Sequence, residues 1–96
     1  MDTFQRGTTV ICSIEIYNSA GQLVSPTSLP TIEIWQAEIW EKMVSGVAME
    51  QDDSETGKYH YDYQTTADQL DGRYKVNYTV TNNSRISTAE DWFELK

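Results

Sequence analysis

The sequence predicts an all-β fold, an antiparallel sandwich of about seven strands with no long helix. The first observation is that large apolar and polar residues alternate after Gly57 and again after Gly72, as in strands with one buried face. The second is that such segments recur at roughly ten-residue spacing between turn residues. The third is the length of 96 residues, which predicts one domain over residues 1–96.

The first quarter of the chain is predicted to contain a short N-terminal segment, residues 1–7, and then a strand over residues 8–17. The strand is rich in β-branched residues, and its even positions are expected to face the core. Asn18 and Gly21 predict a turn after it. Two prolines exclude residues 25–30 from a central strand, so this segment is expected to cross between sheets.

Residues 31–36 alternate again and predict a second strand, which is followed by a bend over residues 37–42. Residues 43–51 are predicted to be one extended segment. Its inward pair is expected to be Val47 and Met49, and Gly46 is expected to be a bulge or bend.

The second half begins with an acidic turn, residues 52–57, that leads into a tyrosine-rich strand. A polar connection over residues 65–71 precedes the Gly72 strand, a tight turn occupies residues 82–84, and the last strand covers residues 86–95. The side chains predicted to point inward from the two central strands are Tyr59, Tyr61 and Tyr63, then Tyr74, Val76, Tyr78 and Val80.

Composition excludes several function classes. The formal charge of −8 opposes binding to a phosphate backbone, so no nucleic-acid partner is expected. The single cysteine, Cys12, has no partner for an internal disulfide. It is predicted to be a core thiol, because it alternates with Val10 and Ile14 and has no adjacent histidine or basic residue to activate it. We also expect no signal peptide and no membrane insertion, since the chain lacks an apolar run of sufficient length.

Leu70-Asp71-Gly72-Arg73-Tyr74-Lys75-Val76 resembles the tyrosine corner of immunoglobulin-like Greek-key sandwiches. The resemblance implies that Gly72 and Tyr74 are structural residues, and that the Tyr74 hydroxyl turns back onto the preceding connection. Val76 stands where antibody domains have their second disulfide cysteine, so the resemblance is to a module without that bridge.

From about residue 8 to residue 95, the ordered segments are similar to small immunoglobulin-like domains of macroglobulin type. Among them are the Pro26-Thr27 pair, the run from Thr31 to Trp35 and the stretch Thr56-Gly57-Lys58-Tyr59-His60-Tyr61. Such domains occur in tailed-phage and prophage virion proteins and in prokaryotic surface proteins. Because they serve as decorations, spacers and adhesion domains alike, the resemblance leaves the function open.

Catalysis is not expected, and no cofactor is predicted. His60 is the only histidine and lies on the polar face of its strand, where no nucleophile and acid are predicted to enclose it. Asp52, Asp53 and Glu55 offer a dense set of oxygen ligands for calcium, although their spacing differs from that of an EF-hand loop. The competing interpretation is a solvated acidic turn.

Trp35, Trp40 and Trp92 are candidates for an interaction surface, since tryptophan is favoured where proteins bind partners or sugars. Trp35 lies on the opposite face of its strand from Ile32 and Ile34, so both faces of that strand are apolar. A second subunit is one candidate to cover the outer face. The alternative is that one tryptophan belongs to the core and the others cover strand ends.

The sequence therefore predicts a non-catalytic structural or interaction module that acts through protein–protein contacts or self-association. The expected setting is a virion, as a capsid or tail accessory, or a cell-surface assembly, and otherwise the cytoplasm. The alternative prediction is a carbohydrate-binding or adhesion module that uses exposed aromatic residues to hold a glycan.

Overall fold

The computed structural model describes residues 2–96, and within them it contains eight strands and no helix. The alternating segments became strands because one face of each buries large apolar side chains. The strands are β1 Asp2–Phe4, β2 Thr9–Glu15, β3 Thr31–Gln36, β4 Glu41–Ala48, β5 Glu50–Gln51, β6 Lys58–Gln64, β7 Gly72–Asn82 and β8 Arg85–Leu95.

The strands form two sheets. The larger has the order β1-β8-β7-β3-β4, and the smaller has the order β2-β6-β5. The predicted all-β, two-layered class is confirmed, and the connections over residues 25–30 and 65–71 join one sheet to the other, as does the chain after β1.

The prediction of a purely antiparallel fold is wrong at the N-terminus. β1 runs parallel to β8 and places Asp2 opposite Phe93, so the N-terminal segment predicted over residues 1–7 contains a strand. Three residues are too few to show an alternating pattern. The chain also crosses to the other sheet before β2, so no hairpin turn marks the end of β1.

The inward rows of the two sheets form one core. Tyr74 is fully buried, and its ring stacks on Phe93 with centroids 5.2 Å apart. Tyr61 and Val80, both predicted to point inward, are only half-buried. The buried apolar side chains are Val10, Cys12, Ile32, Ile34, Ala37, Val44, Met49, Tyr59, Tyr63, Tyr74, Val76, Tyr78, Phe93 and Leu95.

The prediction for residues 43–51 is half wrong. Met49 is buried, but Val47 is 42% exposed and Val44 takes the inward place. Val47 is paired with the buried Ile32 and so lies on the same face, but β4 is the edge strand of the larger sheet and leaves it less covered. The predicted bulge is present, because the pairing of β3 with β4 shifts between Ile32 and Ile34 and Gly46 adopts a φ of +63° there. The predicted single segment is also two strands in different sheets, with a break at Met49.

Tyr74 makes the contact that the sequence predicts for it. Its hydroxyl donates to the carbonyl of Leu70, four residues earlier in the connection to β7. The Gln69 amide nitrogen donates to the hydroxyls of Tyr74 and Tyr63, at 3.1 and 2.8 Å, and so links the two sheets. Gly72 precedes this contact with a φ of +110°, and a Cβ there would lie 2.8 Å from Glu38 Cγ.

A buried glutamine also fixes the start of β7. Gln36 is fully buried, and its Oε1 accepts hydrogen bonds from the N–H groups of Glu38 and Ile39 at 2.7 and 3.0 Å. Its Nε2 donates to the carbonyl of Asp71 at 3.0 Å. The side chain therefore ties the turn between β3 and β4 to the connection that enters β7, satisfying polar groups that are costly to bury unpaired.

Candidate interaction face

A row of alternating lysine and tryptophan side chains crosses the outer face of the larger sheet. Trp35 on β3 is paired in register with Lys42 on β4 and with Lys75 on β7, and Lys75 is paired with Trp92 on β8. Alternation places them outside, because Ile32 and Ile34 occupy the inward positions of β3. We call these four residues, together with Arg73, the tryptophan face.

The cationic side chains lie over the indole rings. Lys42 Nζ is 4.9 Å from the centroid of Trp35, within the range of a cation–π contact. Arg73 Cζ and Lys75 Nζ lie 5.9 and 6.0 Å from the centroid of Trp92, at the outer limit of that range. The two rings are therefore held on the sheet as half-exposed platforms.

Each cation of the tryptophan face also pairs with a glutamate. The nitrogen-to-oxygen distances are 3.5 Å for Lys42 with Glu33, 3.2 Å for Arg73 with Glu38 and 3.1 Å for Lys75 with Glu90. This network carries no net charge, so the formal charge of −8 belongs to the rest of the chain.

Trp40 lies at one border of the tryptophan face. It occupies the turn between β3 and β4 with a φ of 52°, and it is 56% exposed beside Ile39, which is 58% exposed. A shallow depression between this turn and the sheet is lined by Glu33, Trp35, Trp40, Lys75 and Asn77. The three predicted tryptophans thus lie along one side of the molecule, with Trp35 in the depression and Trp92 in the adjoining row.

The predicted calcium ligands lie on the opposite sheet. Asp52, Asp53 and Glu55 line a depression with His60 and Asp62. Within residues 2–96, no group of three or more histidine, cysteine, aspartate or glutamate side chains is placed to hold a metal ion. Glu55 instead pairs with Lys58 at 3.4 Å, and this contact raises the pKa of the Lys58 ammonium group. The calcium site remains a prediction without a matching cluster.

His60 is more constrained than its outward position predicts. Its Nδ1 is hydrogen-bonded to Asp52, and its Nε2 lies 3.6 Å from Glu50 Oε2. The hydrogen bond to Asp52 raises the pKa of His60 above its usual 6.5, with smaller contributions from the charges of Asp52, Asp62 and Glu50. The imidazolium form therefore ties the acidic turn and β5 to β6.

Cys12 is a core thiol, as predicted. The side chain is 6% exposed, and burial raises its pKa to about 11, although a hydrogen bond with Tyr78 acts in the opposite direction. A thiol with this pKa is almost entirely protonated at neutral pH and is a poor nucleophile. No reactive role follows for Cys12.

The sequence analysis did not predict the roles of Gln69 and Gln36. Their side-chain amides position the connection into β7, and Gln36 also positions the turn between β3 and β4. Gln36 had a usable signal, since it falls on the inward side of an alternating strand where an apolar residue is expected. Gln69 had none, because it lies in an irregular polar connection. The structure also places Arg73 and Lys75 beside Trp92, a pairing that depends on strand order and register.

No protein-family model, curated protein or solved structure matches this chain. The residues that the structure describes also include no helix long and apolar enough to span a membrane.

Proposed function

We propose that the protein is a non-catalytic, immunoglobulin-like interaction module that binds another protein through the tryptophan face. The expected setting is a virion, as a capsid or tail accessory, or a prokaryotic cell-surface assembly. The observation that carries the proposal is the Lys42–Trp35–Lys75–Trp92 row, which presents two half-exposed indole rings among lysine side chains that are paired with glutamates.

Strand order supports the immunoglobulin-like part of the proposal. In such domains strands B, E and D are neighbours in one sheet, and strands C, F and G are neighbours in the other. The orders β2-β6-β5 and β3-β7-β8 fit these two sets, with β4 as an additional strand beside β3. Tyr74 near the start of β7 fits the tyrosine corner, while Cys12 meets Tyr78 instead of a second cysteine.

The chemistry of the tryptophan face favours a protein as the partner. Tryptophan and arginine are enriched among the residues that dominate binding energy, and here both occur on a rigid sheet. Lys42 lies over the Trp35 ring, so a flat partner that contacts ring edges and lysine stems fits better than a ligand that needs a bare ring. The shallow depressions beside the row also match a broad contact.

The test compares two variants of the immobilised domain in extracts of cells that produce it. Trp35→Ala combined with Trp92→Ala removes both platforms, while Ile11→Ala removes a more exposed apolar side chain, 64% exposed, from the other sheet. We expect the Ile11 variant to retain the protein captured by the wild type and the double variant to lose it. Once that protein is identified, its Kd should weaken by about thirtyfold or more in the double variant.

Equal retention by both variants would overturn the choice of face. Identification of the captured protein by mass spectrometry tests the proposed setting, since a particle or envelope component is expected. A soluble metabolic enzyme recovered with the same dependence on Trp35 would retain the face and refute the setting.

A carbohydrate-binding module is the second candidate function. The depression beside Trp40 supports it, because a half-open indole next to Asn77 and Glu33 supplies a stacking surface and hydrogen-bonding groups. Titration with oligosaccharides while tryptophan fluorescence is recorded distinguishes this function. Saturable changes that disappear in Trp40→Ala support glycan binding, and an unchanged spectrum across a glycan panel refutes it.

A further inference from the structure

β8 has a long open edge. It pairs with β7 along its whole length from Arg85 to Leu95, but β1 pairs with it only from Phe93 onward. Among the described residues, no strand pairs with the other side of β8 over residues 85–92. The N–H group of Trp92 donates to the Asp91 carboxylate at 2.8 Å instead of to a neighbouring strand.

The backbone N–H and C=O groups of alternate residues along this edge point away from β7, toward the open side. The N–H of Lys96 donates to the carbonyl of Phe4 at 3.0 Å, and the Lys96 carbonyl accepts from the N–H of Arg6 at 3.1 Å. Backbone direction alternates at each residue of a strand. The N–H and C=O groups of Ile86, Thr88 and Glu90 therefore also point to the open side.

Within residues 2–96, no other segment packs over the core-facing side of β8 along this open edge. Ser87, Ala89 and Asp91 follow the same alternation as the buried Phe93, yet all three are exposed. Arg85 is exposed on the same side, and neither Arg85 nor Asp91 forms an ion pair within residues 2–96. The open edge thus carries one unpaired charge of each sign, near its two ends.

We propose that a second copy of this chain pairs with β8 in an antiparallel, two-fold arrangement centred on Thr88. Residues directly opposite each other then have numbers that sum to the same value, so Arg85 of each copy faces Asp91 of the other. Ile86 faces Glu90, and the two Thr88 residues face each other, a favourable cross-strand pair. The proposal does not depend on the tryptophan face binding a partner.

Other registers lose this complementarity. Two residues that face each other across a continuous sheet must point to the same side of it. The two-fold centre of the pairing can therefore lie only on a residue, and another register shifts it by a whole residue. A centre at Ala89 would place Arg85 opposite Phe93, where β1 already occupies the edge. A centre at Glu90 would bring two glutamates together. The Thr88 centre keeps the pairing within residues 85–91 and forms two ion pairs.

The arrangement would join two five-stranded sheets into one, with the tryptophan faces of both copies on the same side. The hydrogen bonds come from Ile86, Thr88 and Glu90, whose outward groups have no strand partner in the single copy. Asp91 would accept from Arg85 of the second copy, and the Trp92 N–H lies at the border with β1.

The experiment measures solution mass by sedimentation over a range of concentrations. Arg85→Asp and Asp91→Arg each place like charges opposite one another, and we expect each to weaken dimerisation by about tenfold or more. The double variant Arg85→Asp with Asp91→Arg restores opposite charges in exchanged positions, so it should dimerise like the wild type. Circular dichroism and thermal unfolding verify that every variant is folded.

Cysteine cross-linking tests the register. Thr88→Cys places two thiols at the two-fold axis and is expected to form an interchain disulfide under mild oxidation. Ala89→Cys is the matched control, because its thiols are offset along the strands and should not link. Wild-type protein that stays monomeric up to about 1 mM overturns the proposal, and so does a double variant no better than the single ones. Linking through Ala89→Cys instead of Thr88→Cys would likewise refute it and would indicate a different register.

Discussion

At the scale of single residues, two buried or half-buried glutamine side chains hold the connections between strands in position. Gln69 links Tyr63 on β6 to Tyr74 on β7, and Gln36 ties a turn of the larger sheet to the carbonyl of Asp71. A buried polar group costs free energy when it loses its hydrogen-bond partner. Removing either member of one of these pairs should therefore destabilise the fold. The crossing between the sheets is therefore specified by hydrogen bonds as well as by apolar packing.

Replacing Tyr74 with phenylalanine removes the hydroxyl that donates to Leu70. We expect the free energy of unfolding to fall by about 1 kcal/mol, the usual net value of one intramolecular hydrogen bond. Urea denaturation followed by tryptophan fluorescence measures this loss. Tyr17→Phe is the control, because Tyr17 is 54% exposed and should tolerate the change. Equal stability of the Tyr74 variant and the wild type would show that the hydroxyl contributes nothing to the fold.

The role of Tyr74 was predictable, but its surroundings were not. A tyrosine shortly after a glycine at the start of a strand has a recognisable local pattern, and its partner is only four residues away in the chain. The contact between Gln69 and Tyr63 and the pairing of Arg73 with Trp92 depend on how strands are ordered in space. No local pattern in one sequence contains that information.

At the scale of elements, alternation predicted most strands, and it failed where a strand lies at the edge of its sheet or is very short. β3 has the predicted bounds, whereas Val47 on the edge strand β4 is exposed although it is paired with the buried Ile32. Alternation indicates the face on which a side chain lies, but the place of the strand in the sheet decides how well that face is covered. The three residues of β1 pair with a strand almost the whole chain away, and no local signal reports such a contact.

The stability that His60 provides by joining β5 and the acidic turn to β6 should depend on pH. The pKa of His60 is raised in the folded state, chiefly by the hydrogen bond to Asp52, so protonated His60 stabilises the fold. This contribution is fully present below the unfolded pKa of about 6.5 and is lost as the pH rises through the higher folded value. His60→Gln should therefore cost stability at low pH and progressively less as the pH rises.

Unfolding free energies of wild type and His60→Gln between about pH 5 and pH 9 measure this difference. Asp53→Asn is a suitable control, because Asp53 lies in the same turn and has no hydrogen bond to His60 among the described contacts. Its difference from wild type should stay constant over this range. A pH-independent difference for the histidine variant would contradict the role assigned to the Asp52 contact.

At the scale of the whole molecule, charge and apolar surface are unevenly distributed. Each cation of the tryptophan face is paired with a glutamate, whereas the smaller sheet presents Asp52, Asp53, Glu55 and Asp62 around one histidine. The composition predicted an acidic protein but could not place the charge, because the assignment of strands to sheets decides which side chains become neighbours. The core between these surfaces includes Cys12, which gives a chemical probe of global opening.

Cys12 should resist alkylation as long as the two sheets stay together. Burial raises its pKa from 9.0 to about 11, so its thiolate fraction at pH 8 falls by about a hundredfold, and the thiol is also shielded. We expect iodoacetamide to react with the native protein at least about a hundredfold more slowly than with protein unfolded in urea. Ser19→Cys, in an exposed turn, supplies a fast-reacting reference thiol in the same folded chain. Comparable rates for the two thiols would mean that the core opens readily around β2.

The parallel pairing of β1 with β8 has a mechanical consequence. Because both strands run in the same direction, tension that draws the start of β1 away from the end of β8 acts along the strands. The hydrogen bonds between them are then loaded together in shear, along with the contacts of Arg6 and Phe4 with Lys96. An antiparallel pair pulled in the same way would instead open one bond at a time. Resistance to such tension therefore depends on how many of these hydrogen bonds must break at once, and not on the strength of any single one.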